Sequence, residues 1–356
     1  MQSVTIGNNQ AGQRFDKFLK KYMPEAGTSF LYKMLRKKNI TLNGKKAEGK
    51  EMLAVGDEVC FFFSDETFAK FTGTKPAGTS PKGSTIKKPF ETTEDISYKK
   101  AYASIKGIEV LYEDDNVLIL NKPAGVLTQK AAPTDLSLNE WLIGYLLETK
   151  ALNEEDLHTF HPSVCNRLDR NTSGIVLCGK SLAGSQALSR VIKDRTVQKF
   201  YRTICVGTLG EDKILDGYLR KDTKTNKVSV VTSSPVGANG TSKNADISPI
   251  KTAYHPLAAT KDYTLLEVEL ITGRTHQIRA HLASIGHALI GDYKYGIRSV
   301  NDRLKKQYSL EAQLLHAYKI VFPQGETGVL SILNGREIIA PCPALFKKIQ
   351  QDMQLE

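Results

Sequence analysis

The sequence predicts an α+β protein: a large domain built on a mixed, largely antiparallel sheet, preceded by a small α/β domain. Strand-like apolar runs recur at 175–178, 200–206, 228–232, 263–271 and 319–322, with few helical patterns between them. Residues 13–63 carry apolar positions at helical spacing and then a hairpin signal. Between these zones the composition shifts to Thr, Ser, Gly, Pro and Lys with almost no apolar periodicity. The domain limits read from these shifts are 1–63, a flexible linker over 64–106, and 107–350.

In the first zone Phe15, Phe18, Leu19 and Tyr22 recur at helical spacing, with Lys17, Lys20 and Lys21 on the opposite side. Thr28 or Ser29 caps a second helix that turns Leu31, Met34 and Leu35 inward and Lys33, Arg36, Lys37 and Lys38 outward. Ile40-Thr41-Leu42 then meets an Asn43-Gly44 turn. The third zone opens with a hairpin, Ile108–Tyr112 and Val117–Leu120 around Asp114-Asp115-Asn116. Helical patterns follow near Leu138–Thr149, Ser181–Lys193 and Thr275–Ile285. Residues 233–245 read as a mobile loop between strands.

Composition narrows the function classes. The chain has 356 residues, 40% hydrophobic and 24% charged, as an ordinary globular protein does. Its 49 Lys and Arg against 38 Asp and Glu, formal charge +11, favour a polyanionic partner such as nucleic acid. No run approaches a membrane span, and the N-terminus lacks the basic start and apolar stretch of a signal peptide. The cysteines, Cys60, Cys165, Cys178, Cys205 and Cys342, are odd in number with no C-x-x-C pair, and read as reduced residues of a cytoplasmic protein. His276, His281 and His287 lack a cysteine or carboxylate at ligand spacing, so no metal site is expected.

The chemistry concentrates in Asn166-Arg167-Leu168-Asp169-Arg170-Asn171-Thr172-Ser173-Gly174, which leads into the apolar run Ile175–Cys178. Neighbouring positive charge favours the ionised carboxylate, and an anionic Asp on a loop at a strand edge is what a nucleophile or base needs. Other motifs stand in order around it. Asn121-Lys122-Pro123-Ala124-Gly125-Val126 precedes it; Gln198-Lys199-Phe200-Tyr201-Arg202 follows; Gly273-Arg274-Thr275-His276-Gln277-Ile278-Arg279 and Gly291-Asp292 come last. In its strand, Tyr201 faces opposite to Phe200 and Ile204. Helical spacing puts Thr275 and Arg279 on one face.

These motifs resemble the RluA-type family of RNA pseudouridine synthases over essentially all of 107–350. Asn166 stands where the family signature has His; the rest of that signature is intact. The first zone resembles the S-four RNA-binding domain, on Arg14–Leu19, Lys33–Lys38, Thr41–Gly44 and Val55–Asp57. The resemblance implies isomerisation of uridine to pseudouridine in structured RNA, large-subunit rRNA or its precursor foremost, with no cofactor. It implies Asp169 as the catalytic carboxylate, Arg279 as its counter-charge, Tyr201 as the aromatic that stacks on the base and Arg167 as the residue that helps evict it. Leu315 is a weaker candidate for packing the other face of the uracil. Arg274 and Lys199 read as RNA or structural contacts, and Lys33, Arg36, Lys37 and Lys38 as phosphate contacts. Competing readings are a non-catalytic ribosome-associated RNA-binding protein and a tRNA pseudouridine synthase. The intact Asp169, Tyr201 and Arg279 set favours an enzyme. Nothing in the sequence demands more than a monomer.

Overall fold

The computed structural model describes residues 1–72, 93–222, 227–231 and 247–356. The N-terminal part runs β1 (Gln2–Thr5), α1 (Phe15–Tyr22), α2 (Thr28–Arg36), β2 (Ile40–Leu42), β3 (Lys45–Lys46), β4 (Glu58–Phe61) and α3 (Asp65–Thr72). Its strands form a small sheet in the order β1-β4-β2-β3. The apolar positions expected on α1 and α2 do build its core, where Phe15, Phe18, Leu19, Leu31 and Leu35 meet Ile40, Val59 and Phe61.

The linker expectation over 64–106 meets a different structure at both ends. Helix α3 lays Phe68 and Phe71 on the N-terminal core, with Phe71 against Phe30 at 4.4 Å between ring centroids. At the other end α4 (Thr93–Ser104) buries Tyr98 and Ala101 in the main core. Apolar residues sparse in sequence therefore suffice to dock each end onto the core beside it. Residues 73–92, the middle of that linker, lie outside the described residues, as does the expected mobile loop over 233–245.

The main part continues with β5 (Glu109–Glu113), β6 (Val117–Lys122), α5 (Leu138–Glu148), β7 (Ser163–Val164), β8 (Ser173–Gly179), α6 (Leu182–Lys193), β9 (Gln198–Val206), β10 (Lys213–Asp222), β11 (Lys227–Val231), β12 (Ile247–Ala259) and β13 (Tyr263–Leu270). It ends with α7 (Gln277–Ser284), α8 (Arg298–Tyr308), β14 (Leu315–Val321), β15 (Glu337–Ile339) and α9 (Ala344–Asp352). Among the described residues the strands form an 11-stranded sheet with the path β11-β10-β12-β13-β9-β14-β8-β6-β5, with β15 paired to β14 and β7 to β8 beside it. Pairing is antiparallel except between β14 and β8. This is the expected α+β architecture.

Strands β6 and β8 are continuous apolar runs because both faces of the sheet are covered there. Leu118, Leu120, Val176 and Cys178 face the core shared with Trp141, Leu142 and Leu146 of α5. Val117, Ile119, Ile175 and Leu177 face Leu188 and Val191 of α6. Each helix is capped by a serine: Ser137 Oγ accepts from Asn139 N at 3.2 Å, and Ser181 Oγ from Gly184 N at 2.9 Å. Gly144 lets α4 approach α5, since a Cβ there would lie 2.4 Å from Tyr98 O.

Candidate active site

The Asp169 turn lies between β7 and β8 and is held from below by backbone contacts. Thr128 Oγ1 donates to Leu168 O at 2.8 Å and accepts from Leu168 N at 3.2 Å. Gly125 N donates to Arg170 O at 2.9 Å. Fully buried Lys122 donates from Nζ to Pro123 O, Val126 O and Arg170 O at 3.0, 2.9 and 3.0 Å. Burial pushes its ammonium down to about 7, against the opposing pull of the Asp169 charge. Arg170, whose side chain is exposed, thus supports the turn through its carbonyl.

Asn166 also supports the turn. Its Oδ1 accepts from Leu177 N at 2.7 Å and its Nδ2 donates to Ile175 O at 3.3 Å. Past Asp169, Ser173 Oγ meets His316 Nδ1 at 2.8 Å, and His316 Nε2 meets Ala340 O at 3.2 Å. Burial drives the His316 imidazole down to about 4, so it is neutral near pH 7. Gly174 adopts φ +114° where β14 crosses closely; a Cβ there would sit 2.2 Å from Ala317 O. The Ser-Gly of the signature is therefore the seat for β14.

Asp169 lies in a cavity of about 530 Å³ lined also by Arg167, Lys199, Tyr201, Arg274, His276, Arg279 and Leu315. Its side chain is a quarter exposed, and Arg279 Nη1 donates to Oδ2 at 2.9 Å. Among the described residues no hydrogen bond reaches Oδ1. Tyr201 is buried in the core that contains Cys205, Leu266 and Leu315, whereas Ile204 belongs to a different one with Leu265 and Ile290. The opposed facing holds, and Tyr201 is both core and cavity wall. Burial first, then the Asp169 charge, raises its phenol well above its ordinary value. Leu315 likewise joins core and cavity. Arg167 and Arg274 are exposed on the rim.

The expected pairing of Thr275 with Arg279 on one helical face is not found. Thr275 and His276 form a turn and α7 begins at Gln277. Arg279 is aimed instead by Asp292, whose carboxylate accepts from Nε at 2.7 Å and from Nη2 at 2.9 Å. Asp292 is fully buried and also accepts from the backbone N–H groups of Lys294 and Tyr295. Its acid is held below the ordinary carboxylate range: burial raises it, but the bonds and charge of Arg279 outweigh that. Sequence reasoning gives Gly291-Asp292 no role, and its only local signal is a carboxylate beside a glycine at the end of a strand-like run. Lys33, Arg36, Lys37 and Lys38 lie exposed on and just after α2, away from the cavity. A larger groove of about 790 Å³ between α4 and α5 contains none of the expected site residues.

The family model for RNA pseudouridylate synthase matches residues 116–284, which span the β6–β8 pairing, the Asp169 turn and α7. The ribosomal large subunit pseudouridine synthase C of Rickettsia bellii is 31% identical over 322 residues, covering 89% of this chain and 92% of the relative. That of Vibrio vulnificus is 28% identical over 355 residues, covering 99% and 97%. The structure of human RNA pseudouridylate synthase domain containing 4 superposes with TM-score 0.57 at 21% identity, over 73% of this chain and 98% of that one, and shows the shared fold. The chain belongs to the RNA pseudouridine synthases, isomerases that convert uridine to pseudouridine within RNA.

Proposed function

We propose that this enzyme isomerises uridine in large-subunit ribosomal RNA and that Asp169 is the carboxylate that acts on the nucleotide. The observation that carries the assignment is the chain Asp292–Arg279–Asp169 ending in the cavity, with Asp169 Oδ2 anchored and Oδ1 open. The names of the Rickettsia and Vibrio relatives support the rRNA substrate.

The reaction breaks the N1–C1′ bond and forms a C5–C1′ bond, with a proton leaving C5 and one arriving at N1. An ionised Asp169 serves it by adding to C1′ or by taking the 2′ proton. Arg279 orients the carboxylate through its 2.9 Å bond to Oδ2. Tyr201 and Leu315 offer flat and apolar surfaces that hold the detached uracil while it turns. A paired uridine must leave its stack to enter, and exposed Arg167 on the rim is long and planar enough to occupy the space it vacates. Arg274 and Lys199 contact the RNA backbone. The N-terminal domain is an S-four RNA-binding module whose Lys33, Arg36, Lys37 and Lys38 hold phosphates, and the protein works as a cytoplasmic monomer.

The test is Asp169→Asn. Pseudouridine formation is lost while RNA affinity persists; substantial turnover by the purified variant refutes the assignment. Position-by-position mapping of pseudouridine in cells lacking the protein identifies the substrate. Loss confined to tRNA would replace the rRNA reading.

A further inference from the structure

His276 stands in a conformation that is uncommon outside glycine. Its φ is +55°, the left-handed region, directly ahead of the first residue of α7. Such backbone persists where surrounding contacts over-determine it, and it gathers at functional sites. Here the contacts fix the imidazole. Nδ1 meets Tyr295 Oη at 2.9 Å and the two rings pack edge to face at 5.6 Å between centroids. Tyr295 Oη already accepts from Val228 N at 3.1 Å, so its own proton is free to go to His276 Nδ1. That arrangement leaves the imidazole proton on Nε2. Nε2 faces Asp169 Oδ2 at 3.7 Å. Tyr295 in turn is held by Asp292 through its backbone N–H at 3.1 Å and lies beneath the Arg279 guanidinium, 5.2 Å from ring centroid to Cζ.

We infer that His276 is a positioning residue for Asp169: with Tyr295 fixing its tautomer, it joins Arg279 on Oδ2 and leaves Oδ1 to act on the nucleotide. This rests on the reading of Asp169 as the catalytic carboxylate. At 3.7 Å the Nε2–Oδ2 contact exceeds a hydrogen bond, and it tightens when the nucleotide closes the cavity, as catalytic hydrogen bonds do on substrate binding. The groups facing the ring are Asp169, Arg279, Lys294, Asp292 and Tyr295. Burial foremost holds the imidazole below its ordinary value, with the Asp169 and Asp292 charges opposing and Arg279 and Lys294 assisting. The ring is therefore neutral at neutral pH. As acid charges it, it binds Asp169 as an ion pair and holds down the carboxylate's reactivity.

The experiment measures single-turnover tritium release from RNA labelled at uridine C5, taken from cells lacking the protein, so that it does not depend on which RNA is the target. RNA affinity is measured in parallel. His276→Ala is expected to slow release about 10- to 100-fold with affinity unchanged. His276→Gln, which restores an N–H near the position of Nε2, is expected to recover a large part of the rate. Over about pH 5 to 8 the wild type loses rate on the acid side as the imidazole charges, and His276→Gln moves that limb to lower pH. Tyr295→Phe, which keeps the ring and removes the hydroxyl, is expected to slow release as well. Wild-type rate in His276→Ala, or an acid limb that His276→Gln leaves unmoved, would overturn the inference. Asp169→Asn runs alongside: if it still turns over, the reading of the carboxylate fails, and the inference with it.

Discussion

Asp292 takes both the Nε–H and an Nη2–H of Arg279, so the guanidinium reaches Asp169 through Nη1 alone. One buried carboxylate thereby sets the direction from which positive charge meets the half-buried one. The bidentate geometry is why arginine, with its planar fork, fits here and lysine would not.

Asp292→Asn leaves the Arg279 charge buried without its main partner, which typically costs about 3–5 kcal/mol. Melting temperature and pseudouridine formation are both expected to fall. The folded-state value of Asp292 is depressed, so its contribution to stability is present above the unfolded value of about 3.9 and is lost as pH falls through the folded value. Thermal unfolding below about pH 4 reads this: the wild type loses stability there, and the variant lacks that part of the loss. An identical acid limb in both proteins would remove the clamp from the account.

Lys122→Met is expected to loosen the floor under the Asp169 turn. Losing the shared donor of the Pro123, Val126 and Arg170 carbonyls costs about 1–3 kcal/mol or more. The sign of the pH effect is the reverse of that for a lysine stabilised in its charged form. Between about 7 in the folded state and 10.5 in the unfolded one, the unfolded chain binds the extra proton, so stability from this group rises with pH. Melting curves from neutral to alkaline pH should show that rise in the wild type and not in the variant.

Tyr201→Phe keeps the ring and should retain more isomerase activity than Tyr201→Ala. The alanine variant also opens a void in the main core, at a cost of about 3–5 kcal/mol in melting experiments. Equal activity of the two folded variants would remove the stacking role.

Replacing Lys33, Arg36, Lys37 and Lys38 together by alanine tests the N-terminal domain. RNA affinity should fall, and the slope of log affinity against log salt should shrink by about 0.7–0.9 for each phosphate that is no longer neutralised. Turnover at saturating RNA is expected to persist, since these residues lie outside the cavity. An unchanged slope would leave the basic face merely solvated.

Much of the fold is readable locally. Helix α6 announces itself by a serine cap and apolar periodicity, α5 by a serine cap and a nearly unbroken apolar run of helical length, and β6 and β8 by continuous apolar runs. Strands β10 and β12 carry no such signal. β10 is mostly polar and exposed, and β12 contains Pro249 and Pro256, which speak against a strand; Pro256 is accommodated where the register shifts beside β13. Local spacing starts α7 too early, at Thr275, because His276 takes a left-handed conformation that only its tertiary contacts sustain.

Caps, periodicity and turn chemistry act between near neighbours, so helices α5 and α6, strands β6 and β8 and the motif around Asp169 are legible in the residues alone. How the groups of that motif are aimed is a matter of packing. Arg279 and Asp169 are 110 positions apart and Ser173 and His316 143, so their meeting depends on strand order and on the close crossing of β14 at Gly174. The same holds for Asp292 and Tyr295, whose roles come from the buried polar groups they satisfy, and burial is a property of the packed chain.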